Sequence, residues 1–291
     1  MFYTGIGIDG VQRICLSTAS ADKPTEWGRL GPVIELGGQD AFDEVGATYP
    51  RVHRVGKKWH LYYSGRSNRK GPQVYSAYWG IGLAQSDDLR NWKKYSNRPV
   101  LQADGIVEYP DSKALVGLGN ILEFLQPDGR VLYRMYYTLL PGFLSDDQNS
   151  IKQKVGGVAH SFDGVKWFDR RTVLKRRRDV ETENIGIVGM QVWKIGSRFR
   201  ATFAGLGTKY KDYAKSYATY VLSEAVSDDG LTWERCGPHD NVSLVPQPGT
   251  WESGMIGYAH VLREEDSLRI FYNGTAFGAT GIGMAVAKML D

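Results

Sequence analysis

Four acidic residues recur along this 291-residue chain at nearly one interval: Asp43, Asp111, Glu183 and Glu252 lie 68, 72 and 69 residues apart. If a repeating fold brings them to one level of a pocket, they cannot all ionise at their ordinary pKa, because each charge raises its neighbours'. One is then held protonated near neutral pH and serves as an acid while another remains a base. Glycoside cleavage needs that pair. Glu44 beside Asp43 and Glu181 before Glu183 leave each position with an alternative acid. The plainer alternative is that acids at such places only cap loops that lead into strands.

The elements that must position these acids are also periodic. The spacing Ala-x-Ser-x-Asp-x-x-x-Trp occurs at Ala84–Trp92, Ala159–Trp167 and Ala225–Trp233, with a looser copy ending at Trp27 and a last one at Gly281–Ala287. An aromatic motif precedes each copy: Phe2-Tyr3-Thr4-Gly5, Tyr62-Tyr63-Ser64-Gly65, Tyr136-Tyr137-Thr138, Thr202-Phe203-Ala204-Gly205 and Phe271-Tyr272-Asn273-Gly274. Each unit reads as short strands punctuated by turn residues, and no long stretch has helical periodicity. The pattern predicts an all-β, five-bladed propeller in one domain over residues 1–291, with about four antiparallel strands per blade. The first unit lacks a recognisable innermost strand and the last an outermost one.

Innermost strands line the channel of a propeller, so their residues are the candidates for contact with a ligand. Aligned on the aromatic motif, Arg51, Asn120, Gln191 and His260 fall at one equivalent position. Phe42, Trp79 and Trp251 flank the acids in sequence and offer ring faces on which a sugar can stack. Glu252 shares the acid spacing and is read as a sugar-hydroxyl contact. By contrast, the Ser-x-Asp pairs (Ser86 and Asp88, Ser161 and Asp163, Ser227 and Asp229) recur in blade after blade. Chemistry rarely recurs around a ring, so they are read as turn-fixing hydrogen bonds, and the repeated tryptophans as packing residues.

These repeats, with Phe42-Asp43-Glu44 ahead of Tyr49-Pro50, resemble the five-bladed β-propeller glycosidases, glycoside hydrolase family 43 and its invertase-like relatives. The resemblance spans essentially the whole chain and is more specific for fold than for activity. It implies an Asp base, a second Asp that orients and tunes, and a Glu acid on successive blades. Carried over by position these are Asp43, Asp111 and Glu183. It also implies inversion at the anomeric carbon, with carboxyls roughly 6.5–9.5 Å apart to admit water. No cofactor is required; in similar enzymes a channel histidine can sit near a bound cation, which makes His260 the neighbour of a structural calcium if one is held.

Composition narrows the classes further. A formal charge of +4 is too modest to predict nucleic-acid binding, and two cysteines cannot build a disulfide framework. No apolar run suggests a membrane span, and no secretory leader is visible, so a cytoplasmic location is expected. The basic run Lys175-Arg176-Arg177-Arg178 reads as a solvated loop or as an attractant for an anionic substrate. Three functions fit. The first is inverting cleavage of a small glycoside or oligosaccharide; the second is sugar or metabolite binding without hydrolysis. The third is a repurposed acid–base pocket that cyclises or eliminates.

Overall fold

The computed structural model describes residues 1–67, 78–102, 114–140, 154–213, 218–236 and 242–288. Its strands fall into five antiparallel groups. The first is β1 (Phe2–Ile6), β2 (Gln12–Thr18) and β3 (Gly28–Pro32), and the second β4 (Gly46–Val55), β5 (Lys58–Ser67), β6 (Tyr78–Ser86) and β7 (Lys93–Lys94). A single parallel pairing of Gln12 with Gly46 links these two groups. The third is β8 (Ala114–Leu125), β9 (Val131–Leu140), β10 (Val155–Ser161) and β11 (Phe168–Leu174). The fourth is β12 (Gly186–Ile195), β13 (Arg198–Gly207), β14 (Thr219–Ser227) and β15 (Glu234–Arg235), with β16 (Val242–Leu244) also on β14. The fifth is β17 (Gly257–Arg263), β18 (Ser267–Asn273) and β19 (Ile282–Lys288). These are the blades of a five-bladed β-propeller, the first and last with three strands each among the described residues.

By internal contacts the chain divides into two compact units, Met1–Met135 with Ala159–Arg170, and Tyr136–Val158 with Arg171–Asp291. In the first unit the core gathers Ile14, Phe42, Ala47, Leu61, Tyr63 and Ala84. In the second, one cluster contains Val188, Leu206, Tyr220 and Met255, and another Leu222, Ile256, Val261 and Ile270.

Three copies of the aromatic motif do the same job. Trp92 meets Phe2 edge-on at 5.6 Å, Trp167 meets Tyr62 at 5.9 Å and Trp233 meets Tyr136 at 6.3 Å. Each tryptophan therefore packs on a strand of the preceding blade, β1, β5 or β9. Tyr62 and Tyr136 also donate their hydroxyls to the turn carbonyls of Gly164 and Gly230. Those turns are fixed as expected: Ser86 donates to Asp88 at 2.9 Å, Ser161 to Asp163 at 3.0 Å and Ser227 to Asp229 at 2.9 Å.

The innermost strands share a second device. In β4, β12 and β17 the register slips between Thr48 and Arg51, between Val188 and Gln191, and between Gly257 and His260. Two residues there face one on the partner strand, a β-bulge that bends the strand and redirects its side chains. The bulges contain Tyr49, Gly189 and Tyr258, all at left-handed φ. Arg51, Gln191 and His260 are each the first paired residue after the bulge, so their alignment in the sequence reflects a true structural equivalence.

Candidate functional site

Asp43 lies in the loop leading to β4, fully buried. Its Oδ2 accepts from the Tyr63 hydroxyl at 2.9 Å and sits 2.6 Å from Lys94 Nζ. Its Oδ1 is buried with no hydrogen-bond partner. Burial, and then the Asp43 charge, push the Tyr63 phenol above its ordinary range. Beside it, the Phe42 ring is admitted because Gly82 has no side chain; a Cβ there would stand 2.2 Å from the ring.

Glu183, in the loop leading to β12, is 1% exposed. Its Oε1 is bound by Arg177 Nε and lies 3.1 Å from Arg235 Nη2, which also donates to Oε2 at 3.3 Å. Burial lowers the Arg235 pKa, and the Glu183 charge opposes that shift. Half of the basic run turns inward: Arg177 holds the acid and Arg176 donates to the Asn184 carbonyl, while Lys175 and Arg178 stay exposed. Glu252, half-buried, accepts from the Tyr272 hydroxyl at 2.8 Å. Its neighbour Trp251 is 38% exposed and stacks on Tyr272 with ring centroids 5.8 Å apart.

Tyr63, Phe203 and Tyr272 stand opposite the bulges of their sheets, so they are one position in three blades. Where that position is tyrosine, the ring hydroxyl grips the acid. Where it is Phe203 there is no hydroxyl, and two arginines grip the acid instead. Asp111 and its loop lie outside the described residues, as does the Trp79 side chain.

Two of the channel-position residues are joints between sheets. Arg51 donates to the carbonyls of Gly119 and Pro50, and burial brings its pKa down to about 10. Gln191 turns both ends of its amide to Val261, at 3.2 Å to the carbonyl and 3.2 Å from the N–H. Asn120 follows Gly119 on β8, and His260 pairs with Phe271 on β17, both half-buried. Among the described residues no three His, Cys, Asp or Glu side chains converge as metal ligands.

In the first unit a cavity of about 650 Å³ opens beside Phe42, lined also by Gln39, Asp40, Ser67, Asn97 and Arg98. Ser67 Oγ is buried there without a hydrogen-bond partner. An aromatic face surrounded by amides, a hydroxyl and one charge of each sign is chemistry suited to a polyhydroxylated ligand.

The fold has counterparts among solved structures. A thermostable family-43 glycoside hydrolase superposes with a TM-score of 0.67 at 14% identity, over 96% of this chain and 82% of its own. The fold is that of the propeller glycosidases. A β-1,2-mannobiose phosphorylase from Listeria innocua, in complex with β-1,2-mannobiose, gives a TM-score of 0.65 at 16% identity, over 96% and 67%. In sequence, uncharacterized proteins of Mycobacterium tuberculosis strains H37Rv and CDC 1551 are each 26% identical over 262 residues, 88% of this chain and 76% of theirs. No family model matches the chain. No helix among the described residues is long and apolar enough to cross a membrane.

The sequence reading did not foresee the partners of the acids. Lys94 and Arg235 each follow a repeat tryptophan by two residues, a regularity visible in the sequence and unused. A cluster of Lys154, Tyr220, Tyr258 and Phe277 also escaped it, because its members come from four separate segments.

Proposed function

We propose that this protein recognises a small carbohydrate and does not cleave it through Asp43 and Glu183. One observation carries the reading: both oxygens of Glu183 are engaged by Arg177 and Arg235 in a site 1% open to solvent. A general acid must present its proton within about 3 Å of the leaving oxygen, which here requires two guanidinium groups to let go. The carbohydrate half of the reading rests on likeness to glycoside hydrolases and to a phosphorylase holding a disaccharide, and on the cavity beside Phe42, which pairs apolar lining with amides and a hydroxyl. Fold alone does not decide activity.

A second reading, inverting hydrolysis with Asp43 as base, Asp111 as orienting group and Glu183 as acid, draws on one atom. Asp43 Oδ1 is buried and unpartnered, as a base awaiting water would be. The same experiment separates the two. Aryl arabinofuranosides, xylosides, fructosides and galactosides are offered to wild type, Asp43→Asn and Glu183→Gln, with calorimetric titration of the parent sugars alongside. Binding without turnover is expected. Turnover lost by orders of magnitude in both variants would establish hydrolysis instead.

A further inference from the structure

In the second unit, three aromatic rings stand in mutual contact. The centroids of Tyr220 and Tyr258 are 6.2 Å apart, those of Tyr220 and Phe277 6.1 Å, and those of Tyr258 and Phe277 6.2 Å. The Lys154 ammonium lies 5.8 Å from the Tyr220 centroid and 3.4 Å from its hydroxyl. Tyr220 is buried, whereas Phe277 is 58% exposed. The cluster is therefore a surface with an apolar floor, an open ring and a cation against the same tyrosine.

The backbone that presents Phe277 is costly. Ala276 and Phe277 are consecutive residues in the left-handed region, at φ 54° and 58°, where a Cβ is disfavoured. Tyr258, at φ 53°, sits on the inner-strand bulge of β17. The loop is braced against this strain: Thr275 N–H and the Thr280 hydroxyl both donate to the Trp251 carbonyl, and Gly254 N–H donates to the Thr275 hydroxyl. Holding a large ring in solvent on a left-handed backbone gains neither burial nor propensity. Such arrangements persist where the side chain serves a ligand.

We infer that Phe277, Tyr258 and Lys154 form a contact site for an anionic sugar, its ring stacked on Phe277 and its carboxylate or phosphate met by Lys154. Both the Phe277 ring and the ammonium lie against Tyr220, which brings the stacking surface and the charge to the same tyrosine. A sugar ring has an apolar face that packs on an aromatic one, and an ammonium provides the charge-assisted contact. None of its residues lines the cavity beside Phe42, and its assignment to a sugar rests on the carbohydrate reading above.

The test is calorimetric titration of the full chain with glucose, glucuronate and glucose 6-phosphate. Wild type is expected to bind the two anions about tenfold more tightly than glucose, a preference that shrinks as salt is raised. Lys154→Gln brings the ratio near one, and Lys154→Arg keeps it. Phe277→Asn, which suits a left-handed surface position, weakens all three ligands while the unfolding midpoint holds or rises. An unchanged ratio in Lys154→Gln, or unchanged affinities in Phe277→Asn, overturns the site and leaves carbohydrate recognition standing. Equal binding of neutral and anionic sugars by wild type does the same. Failure of all three probes and of the parent sugars to bind overturns both.

Discussion

Lys94 and Arg235 hold the same place in two sheets. Lys94 pairs with Ala84 and Arg235 with Ala225, and each reaches back to the acid in the loop that leads into its own blade, Asp43 or Glu183. The outer strand is thus clasped to the loop feeding the inner strand, across the width of the sheet. Among the described residues, Glu252 in the last blade is gripped by the Tyr272 hydroxyl. Asp43, Glu183 and Glu252, the acids of the set among the described residues, each tie a lead-in loop to its own sheet.

The clasp in the second blade predicts a large stability effect. Asp43 is fully buried and the Lys94 side chain 18% exposed, so Lys94→Met leaves a buried charge with only the Tyr63 hydroxyl. Breaking such a pair costs about 3–5 kcal/mol. Urea unfolding should show that loss, and adding Asp43→Asn should recover much of it. Independent, additive effects of the two changes would contradict a clasp.

In the fourth blade the same logic predicts a coupled pair of arginines. Either Arg177→Met or Arg235→Met leaves Glu183 one guanidinium, and each should cost about 1–3 kcal/mol. Removing both strands a buried carboxylate, so the double variant should lose more than the sum, and Glu183→Gln should then restore part of it. Additivity in the cycle would show that the two arginines act separately.

How much of this was legible in the sequence follows from what repeats. The five-bladed architecture, the turn-fixing Ser-x-Asp pairs and the packing tryptophans were readable because each rests on local spacing copied several times. The alignment of Arg51 with Gln191 was readable for the same reason. What these two residues do was not: Arg51 meets Gly119 and Gln191 meets Val261, carbonyls almost one blade further along. The acids were the least decided by spacing alone, since a periodic interval suits a catalytic ring and a repeated clasp equally well. Phe203 in place of Tyr63 and Tyr272 was the visible sign that the acid's partner changes between blades. The Lys154 cluster left no periodic trace, because tertiary contact alone assembles it.

Acid sensitivity should come in part from His60. Burial holds its imidazole down at about 4, with His53 adding to the shift and Asp163 opposing it. It lies 3.1 Å from the Tyr62 hydroxyl and 2.8 Å from the Gln85 amide. The unfolded histidine, with an ordinary pKa near 6.5, binds a proton that the folded one refuses. Its contribution is therefore complete above about pH 6.5 and lost as pH falls toward 4, at no more than about 1.4 kcal/mol per pH unit. Urea midpoints measured across that range should flatten in His60→Gln. Parallel curves for the two proteins would exclude the residue as a source.

The three copies of the Ser-x-Asp turn predict one stabilising substitution. In each, the third residue after the serine donates its N–H to the serine oxygen, at 3.0 Å from Leu89, 2.9 Å from Gly164 and 2.8 Å from Gly230. All three adopt left-handed φ, but only Leu89, at 64°, carries a side chain there. That conformation costs a residue with a Cβ about 1 kcal/mol relative to glycine. Leu89 is half-exposed, so little burial is forfeited, and Leu89→Gly should raise stability by about 0.5–1 kcal/mol in urea unfolding. The matched control is Gly164→Ala, whose new Cβ would stand 2.8 Å from the Tyr62 hydroxyl and 3.1 Å from Val55. It should lose more than the first variant gains, because strain and overpacking add. A loss in Leu89→Gly comparable to that of Gly164→Ala would mean that the leucine's packing, and not its backbone, governs this turn.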